Sequence, residues 1–119
     1  MNRVLIVDDS PGFRTVAAGL LAEHGFDVVV AADGEQALAV AARECPDGVL
    51  LDVNLPDLDG FAVATALAAA CPAARIVLTS ADMVHVQAEV LESCGVAAFV
   101  PKQDLVAAGP GTLFRPAGK

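Results

Sequence analysis

The chain contains neither tryptophan nor tyrosine, and its five phenylalanines leave it only 4% aromatic. The apolar share of 55% is therefore drawn largely from alanine and valine, which suits close helix packing and buried parallel strands. Positive charge is scarce: seven Lys and Arg stand against fifteen Asp and Glu, giving a net charge of -8. Such an acidic chain lacks the basic surface that phosphate backbones require, so direct nucleic-acid binding is not expected. Long apolar runs are missing too. The longest uncharged stretch, Gly60 to Ala74, is shorter than a bilayer span and contains Pro72, so no membrane insertion is expected. The early run Val4 to Val7 meets Asp8 and Asp9 at once, unlike a secretory signal, and a cytoplasmic location is expected.

Cysteine is sparse and odd in number. Cys45, Cys71 and Cys94 are widely spaced and match neither a disulfide framework nor a zinc site, so they read as small buried hydrophobes in a reducing compartment. His24 and His85 show no metal-ligand spacing and read as helix-surface residues. At 119 residues, one domain must carry the function.

Five continuously apolar runs are present: Val4 to Val7, Val28 to Ala32, Val49 to Leu51, Ile76 to Leu78 and Ala97 to Val100. Their continuity predicts strands buried on both faces. Helical spacing lies between them. Phe13, Val16, Ala17, Leu20 and Leu21 share one face of a first helix, with Ser10 as its cap, Pro11 in its first position and Gly25 at its end. A second helix opens at Asp33 with Gln36 as capping-box partner and stops before Pro46. A third runs from Gly60 to about Ala70, and a fourth from Val84 to Cys94 with Gly95 as terminator. Asp104 to Ala108 begins a fifth that Gly109, Pro110 and Gly111 cut short, leaving Thr112 to Lys119 as a loose tail. This alternation predicts a parallel sheet covered by helices on both faces.

In an open parallel sheet the functional crevice lies at the carboxyl ends of the strands. Polar residues collect there: Asp8 and Asp9 after the first strand, Asp52 at the end of the third, Ser80 after the fourth and Lys102 after the fifth. Each alone has an ordinary explanation as a helix cap, a turn cap or a solvated lysine. Five coincident placements do not. Converging carboxylates repel each other unless a cation lies between them, and magnesium, a hard cation held by few carboxylates together with a phosphate, suits the set. Asp52 is then free to act as a nucleophile, with Lys102 neutralising a transferring phosphoryl group.

These residues resemble the receiver domains of two-component signalling, across about Asn2 to Ala108. The most specific stretch is Asp52-Val-Asn-Leu-Pro-Asp-Leu-Asp-Gly60, which looks like the family's phospho-acceptor aspartate and the loop leading into the third helix. The resemblance implies a flavodoxin-like (CheY-like) α/β fold of strand order 2-1-3-4-5, with residues 1–108 as the receiver and 109–119 as an irregular tail. It implies phosphotransfer from a sensor histidine kinase or phosphotransfer protein to Asp52, with Mg2+ held by Asp9, Asp52 and the backbone carbonyl of Asn54 and Asp8 acting mainly through water. It further implies Ser80 as switch hydroxyl, paired with Ala81, in preference to the adjacent Thr79. Phe99 takes the aromatic switch position, Asn54 and Asp82 flank the path of hydrolytic water, and a downstream target or output domain reads the change. A homodimer is among the assemblies implied.

Two features depart from the family pattern. Gln103 stands where a proline commonly follows the lysine, and the fifth helix is short or absent. The alternatives are a degenerate receiver acting as a phosphorylation-independent interaction module, and a haloacid-dehalogenase-like phosphatase, against which Asn54 stands where an acid/base Asp is needed. The chain also suits the receiver part of a longer protein.

Overall fold

The computed structural model describes residues 2–81, 86–105, 109 and 113–114. In chain order the elements are β1 (Arg3–Val7), α1 (Pro11–Glu23), β2 (Asp27–Ala31), α2 (Gly34–Arg43), β3 (Gly48–Asp52), α3 (Gly60–Ala70), β4 (Arg75–Thr79), α4 (Ala88–Cys94) and β5 (Ala98–Phe99), followed by a 3-10 turn over Lys102–Asp104. All strand pairs are parallel and the order is β2-β1-β3-β4-β5, the flavodoxin-like arrangement expected. Among the described residues, no helix is long and apolar enough to cross a membrane.

Successive strand residues point to opposite faces, and the sheet divides its apolar side chains accordingly. Val4, Ile6, Leu50 and Val77 meet Ala17 and Leu21 of α1. Leu5, Val7, Val49, Leu51, Ile76 and Leu78 meet Ala37 and Ala41 of α2 and Val63, Ala64 and Leu67 of α3. The central strands β1, β3 and β4 are buried as their continuous apolar runs require. The edges depart from that reading: β2 leaves Val30 48% exposed, and β5 shrinks to two half-buried residues. Strand order is the cause, since an edge strand has one paired side only.

The helix ends follow local chemistry. The Phe13 N–H donates to Ser10 Oγ at 3.4 Å, and Pro11 opens α1. Gly25 takes φ +86°, a conformation costly for residues with a Cβ, and turns the chain into β2. The Gln36 N–H donates to Asp33 Oδ1 at 2.8 Å, while the Gln36 side chain reaches back to the Ala32 N–H at 2.9 Å, one residue earlier than a capping box predicts. The fourth helix begins at Ala88; Val86 and Gln87, expected inside it, are extended or irregular, and the Val84 and His85 positions lie outside the described residues. His24 lies on the surface as expected.

The cysteine reading is corrected. Cys45 and Cys71 form a disulfide, with Cα atoms 5.6 Å apart, and only Cys94 is free. Cys71 is indeed buried, but Cys45 is exposed. The reason is topological: Cys45 follows α2 into β3, Cys71 follows α3 into β4, and those strands are neighbours. Equivalent positions in adjacent helix-to-strand connections come within bonding reach despite 26 residues of separation.

Two residues expected in the loose tail are packed. Phe114 is 8% exposed and meets Phe26 edge to face at 6.4 Å. Its ring occupies the space above Gly48, where a Cβ would lie 2.4 Å from Phe114 Cδ1. The Leu113 carbonyl accepts a bond from Arg75 Nε. The length of the fifth helix turns on residues 106–108, which lie outside the described residues.

Candidate functional site

Parallel pairing delivers the polar residues to one end of the sheet. Asp8 extends the β1 ladder, its N–H donating to the Ala31 carbonyl at 3.1 Å. Asp52 and Thr79 close β3 and β4 in register with each other. Ser80 follows, and the Lys102 N–H donates to its carbonyl at 2.9 Å, which draws the segment after β5 toward the centre.

There, Asp8 is fully buried and Asp52 is 4% exposed, whereas Asp9 faces solvent. Carboxylate oxygens of all three lie within 4.8 Å of one another. Asp8 Oδ1 accepts the Ser10 N–H at 2.8 Å, and Oδ2 lies 2.6 Å from Lys102 Nζ. The same ammonium is 3.3 Å from Asp52 Oδ2, while Asp52 Oδ1 accepts the Asn54 N–H at 2.9 Å. Lys102 is thus shared between two buried carboxylates and also sits 4.4 Å from the centre of the Phe13 ring. Three converging carboxylates outnumber the one ammonium that pairs with two of them. The donor set is all hard oxygen, without imidazole or thiolate, and so fits magnesium rather than a softer metal.

Burial raises the Asp52 carboxyl above the ordinary aspartate range; the Asn54 N–H and Lys102 pull it back and the Asp8 charge pushes with burial. For Lys102 burial acts to lower the ammonium, but the two carboxylates outweigh it and the net displacement is upward. The upward direction at Lys102 describes a lysine that stays charged beside the carboxylates.

Asn54 also donates through Nδ2 to Ser80 Oγ at 3.1 Å, linking that hydroxyl to the Asp52 end of β3. Thr79 Oγ1 is buried without a hydrogen-bond partner among the described residues. Phe99, paired in register with Leu78, is half-buried and packs against the larger core cluster. Asp82 lies outside the described residues.

Three contributors escaped the sequence reading. Phe13, assigned to the core face of α1, lies under Lys102. Arg14 donates to the Asp8 carbonyl at 2.7 Å. Asp57 accepts the Gly34 and Glu35 N–H groups at 2.9 and 3.0 Å, capping α2 from the loop after β3; those bonds, Gly34 first, hold its carboxyl below the ordinary range. The Asp57 contact spans 22 and 23 residues, and no local pattern announces it. At the end of that loop, Gly60 is required: a Cβ there would lie 2.4 Å from Val53 Cα. The Phe61 N–H bonds Asp59 Oδ1 at 3.0 Å and starts α3.

Residues 4–107 match the family model for the response regulator receiver domain. The transcriptional regulatory protein YxdJ of Bacillus subtilis (strain 168) is 48% identical over 61 residues, which cover 51% of this chain and 27% of YxdJ. Protein-glutamate methylesterase/protein-glutamine glutaminase 6 of Anaeromyxobacter dehalogenans (strain 2CP-C) is 48% identical over 82 residues, covering 66% of this chain and 23% of that protein. The chain therefore spans about a quarter of the length of either relative. Among solved structures, the BeF3-activated N-terminal receiver domain of Klebsiella pneumoniae RstA superposes with a TM-score of 0.80 at 33% identity, covering 90% of this chain and 91% of that one. Thermotoga maritima TrrA in complex with Mg2+ and BeF gives 0.76 at 29% identity, covering 85% and 86%. With the strand order, the acidic strand ends and a family match across nearly its whole length in agreement, this chain belongs to the response regulator receiver domain family.

Proposed function

We propose that the chain is a phospho-accepting switch in which Asp52 receives a phosphoryl group from a phosphohistidine on a sensor kinase or phosphotransfer protein. The observation that carries this reading is the shared lysine: Lys102 Nζ lies between Asp8 and Asp52, whose oxygens converge with those of the exposed Asp9. In the transfer, an Asp52 carboxylate oxygen forms a bond to phosphorus while the P–N bond to the donor imidazole breaks, the nitrogen keeping the electron pair. An acyl phosphate on Asp52 results. The Asn54 N–H and Lys102 hold the carboxylate in place, and Lys102 remains to pair the incoming phosphoryl oxygens. Asp9, Asp52 and the Asn54 carbonyl would hold magnesium, with Asp8 acting mainly through water, and the ion supplies neutralisation of the phosphoryl charge.

Ser80 then leaves Asn54 for a phosphoryl oxygen, and Phe99 follows inward as the β4–β5 edge adjusts. The half-buried state of Phe99 and the shortness of β5 support this, since both leave room for a second arrangement. A downstream protein or output domain reads the altered surface. The reaction is the domain's own modification rather than turnover of a separate substrate, and a cytoplasmic setting accompanies it.

Incubation with a small-molecule phosphodonor and magnesium, followed by intact mass, tests the proposal. Gain of one phosphoryl group on the wild type, lost in Asp52→Ala, is expected. No gain, or an undiminished gain in the variant, sinks it.

A further inference from the structure

We propose that Cys45 and Cys71 form a reversible intramolecular thiol–disulfide couple, opened and closed from solvent through the sulfur of Cys45. Cys45 lies just past the end of α2 and Cys71 caps α3, both at the pole of the sheet opposite the acidic site, with β3 between the two poles. Five residues of strand separate the poles by roughly 15 Å. The pair thus acts on the packing of α2 against α3 and stands apart from the phosphoryl chemistry.

Unequal exposure of the two cysteines sets the order of events. Cys45 is exposed, and its cleft is bordered by Arg3, Glu44 and Asp47. Cys71 is 2% exposed, caps α3 through an N–H bond to Leu67, and packs into the core with Leu67 and Ile76. A dissolved thiol or disulfide reaches only the first. Closing begins when the Cys45 thiolate attacks a small disulfide, forming a mixed disulfide and releasing one thiolate of the reagent. The Cys71 thiolate then attacks Cys45 Sγ and expels the second. Two protein thiols are oxidised and one reagent disulfide is reduced to two thiols, with the protein protons passing to solvent or to the released thiolates. Opening reverses the path: an external thiolate attacks Cys45 Sγ, and Cys71 departs as a thiolate into apolar surroundings. That leaving group is poorly solvated, so opening is slow while the domain stays folded.

Glutathione disulfide added to the reduced, full chain tests this, with peptide mass mapping after the remaining thiols are alkylated. The wild type is expected to gain a Cys45–Cys71 link by way of a transient glutathione adduct on Cys45, with Cys94 outside the link. In Cys71→Ser the adduct on Cys45 persists. In Cys45→Ser, Cys71 takes up glutathione at least about tenfold more slowly than Cys45 does in the converse variant. Cys71→Ala replaces Cys71→Ser if the buried hydroxyl prevents folding, and the wild-type time course requires no variant. A link involving Cys94, glutathione retained on the wild type without ring closure, or equal uptake at Cys71 and Cys45 would overturn the proposal.

Discussion

Asp52 holds its charge where water is largely excluded, and its two oxygens receive one backbone N–H and one shared ammonium. Burial raises its carboxyl above the value it has in the unfolded chain, so ionised Asp52 costs folding free energy. The sign follows: this contribution is most favourable below the unfolded value near 3.9 and is lost as pH rises through the higher folded value. Asp52→Asn, which keeps the shape and removes the charge, is therefore expected to stabilise the magnesium-free domain at pH 7 by on the order of 1 kcal/mol. The gain fades as pH falls and the wild-type carboxyl protonates. Urea unfolding at pH 7 and pH 4 checks this, and a destabilised variant at pH 7 contradicts it. The acidic set, Ser80 and Lys102 were legible in the sequence because each follows an apolar run, and a parallel sheet gathers strand ends. Phe13, Arg14 and Asp57 were not, because their contacts join loops and helix ends that are distant in the chain or turned toward one another only after folding.

Among the elements, two caps and the central strands could be read locally, since Ser10 and Asp33 bond N–H groups three residues away. Edge strands could not, because their exposure depends on sheet order rather than on their own residues. The disulfide shows the same dependence. Only once β3 and β4 are neighbours do the Cys-Pro pairs at 45–46 and 71–72 become equivalent positions in adjacent connections. The C-terminal segment is the other case, where a Gly- and Pro-rich stretch concealed a packed aromatic beyond it. Phe114 fills the space over Gly48 and contacts Phe26, so Phe114→Ala removes a buried ring from that space. The expected cost is about 3 kcal/mol, read as a lower urea midpoint at unchanged slope. A change within about 0.5 kcal/mol would mean that the segment contributes no more than a surface residue.

At the scale of the molecule, the parallel sheet has two unlike poles. Its carboxyl end gathers Asp8, Asp9, Asp52, Ser80 and Lys102, and its amino end carries the Cys45–Cys71 link. Between them lie two apolar layers, one closed by α2 and α3 and the other by α1 with Leu105 and Phe114, while β5 stays short and half-buried. On the proposed reading such a body suits a switch, since a well-packed centre holds Asp52 and a lightly held edge can respond to it. The central claim is that the phosphoryl group resides on Asp52 as an acyl phosphate. Borohydride reduction after phosphodonor and magnesium treatment converts such a group to homoserine, and peptide mass spectrometry locates it. Homoserine at position 52, absent when phosphodonor is omitted, is the expected result; reduction at another carboxylate, or none in a chain that has gained phosphoryl mass, contradicts it.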